Sequence, residues 1–241
     1  MTKASGTMQI RVGTSGYSYK EWKGNFYPEK IAAKDMLAYY AERLTTVEIN
    51  NTFYRLPKTS VIETWASQVP PDFRFSIKAS RRITHLKRLK AVEEETAYLL
   101  ETVAVLGPRL GVLLFQLPPN MKLDLDRFRT FLDLLPPGLR AAFEFRHESW
   151  CDDAVVAALR ERGCALCLAD VDDEPAPTID PTARFGYLRL RRAQYDDDAL
   201  RRWADAVAAQ PWDEAYVFFK HEDEGTGPAF AARFREIASA S

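Results

Sequence analysis

Glu48, Lys78, Glu144 and Arg146 are the residues whose types and spacing best suit chemistry in this chain. In Phe143-Glu144-Phe145-Arg146, a two-residue alternation sends the phenylalanines to one face of a strand and the carboxylate and guanidinium to the other. Charges on the inner face of a buried strand need partners, because an unpaired buried ion costs several kcal/mol. Glu144 suits a general base or acid, with Arg146 orienting an anionic group; alternatively the two form an internal salt bridge. Glu48 and Asp170 are the other candidates for proton transfer, and either could instead only pair Lys78 or Arg189. Lys78 closes the alternation Phe73-Arg74-Phe75-Ser76-Ile77-Lys78. It suits an ion pair, a site for a carboxylate or phosphate, or a Schiff-base amine whose pKa is lowered by neighbouring cations. Arg189 and Arg191, two apart, point the same way, as a phosphate clamp would.

The elements that must position these residues alternate along the chain. Strands are expected at 10–15, 46–50, 73–78, 110–116, 143–146, 165–170, 185–191 and 216–221. Helices are expected over 33–44, 60–68, 85–106 (with Thr84 as N-cap), 125–135, from Ser149 to Gly163, 197–209 and 229–238. The acidic, proline-bearing segment 171–181 has no helical pattern and reads as an irregular crossover after strand six. Strict alternation implies parallel pairing, and eight units in this length suit a single (β/α)8 TIM-type barrel of the α/β class. An open doubly wound sheet is the alternative, but no GxGxxG turn or Walker loop is present.

Active sites of such barrels lie at the C-terminal ends of the strands. The expected mouth holds Glu144, Glu48, Lys78 and Asp170 as catalytic candidates. Ser15, Tyr17, Asn50, Tyr54, Gln116, Arg146, Arg189, Arg191 and Lys220 are the binding candidates, with His221 beside them. Cations outnumber carboxylates there, so an anionic ligand would help to neutralise the pocket. The aromatic loop of Tyr17, Tyr19, Trp22 and Phe26, with Phe53 and Tyr54, could stack a ring; packing onto the barrel rim is the plainer expectation for Trp22 and Phe26. His85, His147 and His221 lack HxH or HExxH spacing, so no strong metal-ligand set is read; Glu48, Glu144 and Asp170 could hold Mg²⁺ or Mn²⁺ through oxygen, but the surrounding cations argue against it, and no motif names a cofactor.

Composition bounds the rest. The chain has 241 residues, 46% hydrophobic and 28% charged, with a formal net charge of -1, which suits one domain with a large core. Residues 1–7 read as a flexible tail and 8–241 as the barrel. No apolar run approaches the length of a membrane span, and the start lacks the apolar core of a secretory signal. Three cysteines, Cys151, Cys164 and Cys167, fit a reducing cytoplasmic compartment rather than a disulfide framework; Cys164 and Cys167, three apart on a strand, face opposite sides as core residues. Near-zero net charge gives no global pull toward nucleic acid, although Arg81, Arg82, Lys87, Arg88 and Lys90 form a local basic run.

Seven ordered segments resemble the YecE-like family, domain of unknown function seventy-two. They are Gly13-Thr14-Ser15-Gly16-Tyr17 with Trp22 and Phe26-Tyr27-Pro28; Glu48-Ile49-Asn50 with Thr52-Phe53-Tyr54; Phe75-Ser76-Ile77-Lys78; Thr84-His85-Leu86; Gln116-Leu117-Pro118-Pro119; Glu144-Phe145-Arg146-His147 with Ser149-Trp150; and Tyr187-Leu188-Arg189-Leu190 with Tyr195. The resemblance implies a (β/α)8 barrel in a bacterial or archaeal cytoplasmic protein with no established activity. The chain departs from the family's pattern at Arg191-Arg192, where His-Gly is common, and at Lys220-His221, where Asn-Asn is usual. Both changes add positive charge near the mouth. Three functions are therefore expected candidates: an enzyme acting on a small anionic, phosphorylated or acidic sugar-like metabolite; a nucleic-acid-binding or processing protein using the basic mouth and the 81–90 region; and a non-catalytic sensor of small molecules.

Overall fold

A computed structural model describes residues 8–220 and 225–240. Eight parallel strands close a barrel in sequence order: β1 (Gln9–Ser15), β2 (Thr46–Ile49), β3 (Arg74–Lys78), β4 (Leu110–Gln116), β5 (Ala141–Glu144), β6 (Ala165–Asp170), β7 (Phe185–Leu190) and β8 (Glu214–Phe219). The closing seam pairs Thr14 with Phe219, while on the other edge of β1 Ser15 pairs with Glu48 of β2. Helices α1 (Met36–Ala41), α2 (Thr59–Ser67), α3 (Glu93–Val103), α4 (Leu125–Asp133) and α5 (Asp153–Arg162) follow the first five strands. Helix α6 (Asp197–Ala208) follows β7 and α7 (Thr226–Ala240) follows β8, while residues 171–184 connect β6 to β7 without a helix. The irregular crossover stands where the sequence pattern lacks helical periodicity.

Alternation sorts the strands' residues into two cores. Outward residues such as Phe115 and Phe143 stack at 5.3 Å beneath Phe128 and Phe131 of α4. The barrel interior is filled by Val112, Leu114, Ala142, Ala165, Cys167, Phe185, Tyr187, Tyr216 and Phe218. At the N-terminal end an ion pair between Arg11 and Glu214 plugs the interior. Gly13 is needed at the β1–β2 seam. A Cβ there would stand 1.9 Å from the Thr46 carbonyl oxygen and 3.0 Å from the Tyr40 hydroxyl, which itself accepts from Thr14 N at 2.8 Å and donates to Thr46 O at 2.9 Å.

Three element boundaries differ from expectation, each for a local reason. The helix after β3 does not begin at His85. Arg82–Leu86 form one wide π-type turn, and Arg88, Leu89 and Ala91 take left-handed φ of 50°, 63° and 50° before α3 starts at Glu93. Burial of Ile83, Leu89 and Val92 fixes this loop against the barrel and overrides the local helical pattern. Ser149 does not cap α5 either. Asp152 does, accepting from Ala154 N, while the Ser149 hydroxyl accepts from Leu123 N. The first helix is shorter, beginning at Met36 after one 3-10 turn.

Candidate active site at the barrel mouth

β2, β5 and β7 direct Glu48, Glu144 and Arg189 into the barrel, where the three side chains meet. Arg189 is 2% exposed and bridges both carboxylates: Nη1 donates to Glu144 Oε2 at 2.6 Å and Nη2 to Glu48 Oε1 at 2.9 Å. Glu48 also accepts from Ser15 Oγ (2.8 Å), Asn50 Nδ2 (3.0 Å) and Tyr187 Oη (2.7 Å). Glu144 accepts from Arg146 Nε at 2.9 Å, so the alternation that presents Glu144 also delivers its second cation. Burial opposes ionisation of Glu48, but the Arg189 charge and these hydrogen bonds outweigh it and hold its pKa at about 2. Burial opposes ionisation of Glu144 as well, and the charges of Arg189 and Arg146 again prevail, lowering its pKa. Both glutamates are thus ionised at neutral pH, with their oxygens engaged by donors.

Lys78, at the end of β3, is the cation held differently. Its Nζ donates to the neutral Gln116 Oε1 at 2.6 Å and lies 4.5 Å from the centre of the Phe53 ring. Among the described residues it has no carboxylate partner within ion-pair distance. Burial, followed by the Arg189 charge, lowers its pKa to about 8. His85, set edge-on to Phe53 with centroids 4.8 Å apart, also has a lowered pKa, first through burial and then through the charges of Lys78 and Arg146. Burial and the Arg189 charge lower that of Arg191. Arg146 and Arg191 line one cleft of about 860 Å³ over β5, β6 and β7, together with Glu144, His147 and Cys167.

The structure brings together Ser15, Glu48, Asn50, Lys78, Gln116, Glu144, Arg146, Arg189 and Arg191 at one end of the barrel. It does not bring Asp170 there. Cys167 is the inward residue of β6, which by alternation turns Asp170 outward, where it accepts from Arg192 Nε (2.7 Å), Tyr195 Oη (2.9 Å) and Trp203 Nε1 (3.2 Å). β6 is apolar on both faces, so nothing in its composition marks which parity faces in. Tyr54 is 69% exposed with Arg81 5.7 Å from its ring, and it borders a separate groove with Arg82, Glu95 and Tyr98. Tyr17 packs against Tyr40 and lines a pocket of about 360 Å³ with Asn50. Lys220 follows β8 on an inward position, half-buried, with its backbone N–H on Leu190 O. His221 and residues 1–7 lie outside the described residues.

Trp22 is fully buried among Tyr19, Phe26 and Tyr27, as expected for a loop packed on the rim. Tyr187 and His85 are site neighbours outside the candidate set, and Phe53, expected among the aromatics that could stack a ring, lies against the Lys78 amine. Tyr187 shares the parity of Arg189 and was legible on that ground, whereas Phe53 and His85 reach Lys78 from loops. Without Asp170, the inward cations Lys78, Arg146, Arg189 and Arg191 face only Glu48 and Glu144 among the described residues, so positive charge is in excess there with Lys220 left aside. Among the described residues no helix is long and apolar enough to cross a membrane.

Comparison with known proteins follows the same outline. A DUF72 family protein from Thermotoga maritima MSB8 superposes with a TM-score of 0.80 at 24% identity, covering 96% of this chain and 99% of the other. One from Enterococcus faecalis V583 gives 0.78 at 20% identity, covering 97% and 96%. At those identities the likeness concerns the fold. The UPF0759 protein YecE of Escherichia coli (strain K12) is 35% identical over 109 residues, which span 45% of this chain and 40% of that relative's length. The sequence profile described as "Protein of unknown function DUF72" matches residues 11–241, and the chain belongs to that family.

Proposed function

We propose that the chain is an enzyme that binds a small anionic metabolite at the C-terminal mouth of its barrel, a phosphorylated or acidic sugar being the best-fitting class. The observation that carries this is the charge balance among the described residues: four inward cations share two carboxylates, and both carboxylates are already claimed by Arg189 and its neighbours. Arg146 and Arg191 border the same cleft, which suits two-point capture of a phosphate or carboxylate. Arg189, buried beneath them, fixes the two glutamates rather than meeting the ligand. Hydrolysis, isomerisation and lyase chemistry all remain within this reading.

The test is a thermal-shift screen of the purified protein against sugar phosphates, sugar acids, nucleotides and short oligonucleotides, with and without Mg²⁺ or Mn²⁺. Stabilisation by a small anion that disappears in Arg191→Ala supports the reading, and turnover of that anion separates an enzyme from a sensor. Stabilisation by oligonucleotides alone overturns it in favour of a second reading, in which nucleic acid runs along residues 81–90. Exposed Tyr54 beside Arg81 favours that second reading. It is the weaker one, because Arg82 and Lys87 are already tied to Glu95.

A further inference from the structure

We propose that Lys78 is the covalent catalytic residue of this site, forming an imine with a small aldehyde or ketone that also carries a carboxylate or phosphate. The inference rests on the anion-binding reading of the mouth and narrows its substrate to an anionic carbonyl compound. Four observations converge on Lys78. It stands at the C-terminal end of β3, where a barrel presents its reacting groups. Its amine is held by a neutral amide and an aromatic ring rather than by a carboxylate. Gln116, which holds it, pairs in register with Glu144, whose partner Arg146 is one of the two arginines that would take the substrate's anion. Lastly, the buried Oδ1 of Asn50, at the end of the neighbouring strand, has no hydrogen-bond partner among the described residues.

An imine-forming lysine needs an unprotonated amine, and burial and Arg189 favour that form here. At pH 7.5 an amine of pKa about 8 is neutral in roughly a quarter of molecules, against roughly one in a thousand for an ordinary lysine. The neutral nitrogen adds its lone pair to the carbonyl carbon, and the carbonyl oxygen takes up a proton as the nitrogen gives one up, leaving a carbinolamine. A second proton then reaches that hydroxyl, the C–O bond breaks, and water leaves. Overall, ammonium plus carbonyl gives protonated imine plus water, with charge and atoms conserved. No oxidant, metal or further reactant is required. Glu48 and Glu144, ionised and bound by arginine, keep the developing iminium in a field that is not wholly cationic.

The test is reductive trapping. The protein is incubated with glyoxylate, pyruvate or glycolaldehyde phosphate, treated with cyanoborohydride, and analysed by intact mass and peptide mapping. A single adduct on Lys78 is expected, forming at least tenfold faster than on any other lysine. Its rate should rise with pH through about 8, and the adduct should be absent in Lys78→Arg. Binding of glycerol phosphate, an anion without a carbonyl, is measured in parallel by thermal shift. Binding of glycerol phosphate without an adduct overturns the imine and leaves the anion pocket standing. An adduct on Lys78 that glycerol phosphate does not slow supports the imine and removes the anion reading. Labelling spread over surface lysines and unchanged in Lys78→Arg overturns the proposal, and neither binding nor labelling overturns both.

Discussion

Replacing Glu48 by Gln removes one negative charge from a fully buried site and leaves the rest of the barrel alone. The magnitude follows from the proton affinity of the carboxyl. Its pKa falls from about 4.5 when unfolded to about 2 when folded, a difference of about 2.5 units, or ~3 kcal/mol. Breaking a buried ion pair by removing one partner gives a similar figure, roughly 3–5 kcal/mol. Because the folded-state value is the lower one, this stability is fully present above pH ~4.5 and drains away as the pH falls toward 2. The cost of Glu48→Gln should therefore be ~3 kcal/mol at pH 7 and shrink to roughly 1 kcal/mol at pH 3. An unfolding entropy of about 2.1 cal/mol/K per residue over 241 residues converts the pH 7 figure into a fall in Tm of roughly 6 °C. Urea denaturation of both proteins at pH 7 and pH 3 measures it directly. An equal cost at the two pH values would refute the reasoning, because the loss would then come from packing or hydrogen bonding rather than from the charge. A variant as stable as the parent at pH 7 would show that Arg189 is satisfied by Glu144 alone.

Other perturbations separate structural from functional groups. Lys78 has a folded-state pKa of about 8, below its unfolded value, so the unfolded chain binds more protons between pH 8 and about 10.5 and stability from this group rises with pH across that window. Lys78→Met should be about 1 kcal/mol more stable than the parent at pH 7, after allowance for solvent at the mouth, and should lose that rise; equal pH slopes in denaturant titrations would count against a strained, unpaired amine. Asp170→Asn weakens the hold on Arg192, Tyr195 and Trp203 and should cost about 2 kcal/mol while leaving anion affinity at the mouth unchanged by calorimetry; a tenfold loss of affinity with intact stability would return Asp170 to the site.

Much of this protein was legible in its sequence because barrel strands obey a period of two. In Phe143-Glu144-Phe145-Arg146 and Tyr187-Leu188-Arg189, polar and apolar residues alternate, so the inward face could be read directly and Glu144 and Arg189 were placed correctly. The order of elements, the parallel closed sheet and the helix-free crossover after β6 followed from the same patterns. β6 shows where this reading stops. With Ala165-Leu166-Cys167-Leu168-Ala169 apolar on both faces, only pairing with β5 and β7 decided that Cys167 points in and Asp170 out. The loop after β3 shows a second limit. Burial of Ile83, Leu89 and Val92 against the barrel outweighed a local helical pattern and held Arg88, Leu89 and Ala91 at left-handed φ, bringing His85 beside Phe53. Residue types and spacing thus determined which charges enter the barrel wherever polar and apolar residues alternate, but not on β6, where Asp170 reads inward and stands outward. Which charges satisfy one another was decided by closure of the ring, since only closure brings Arg189, 141 positions from Glu48 and 45 from Glu144, between the two carboxylates and leaves Lys78 with an amide for a partner.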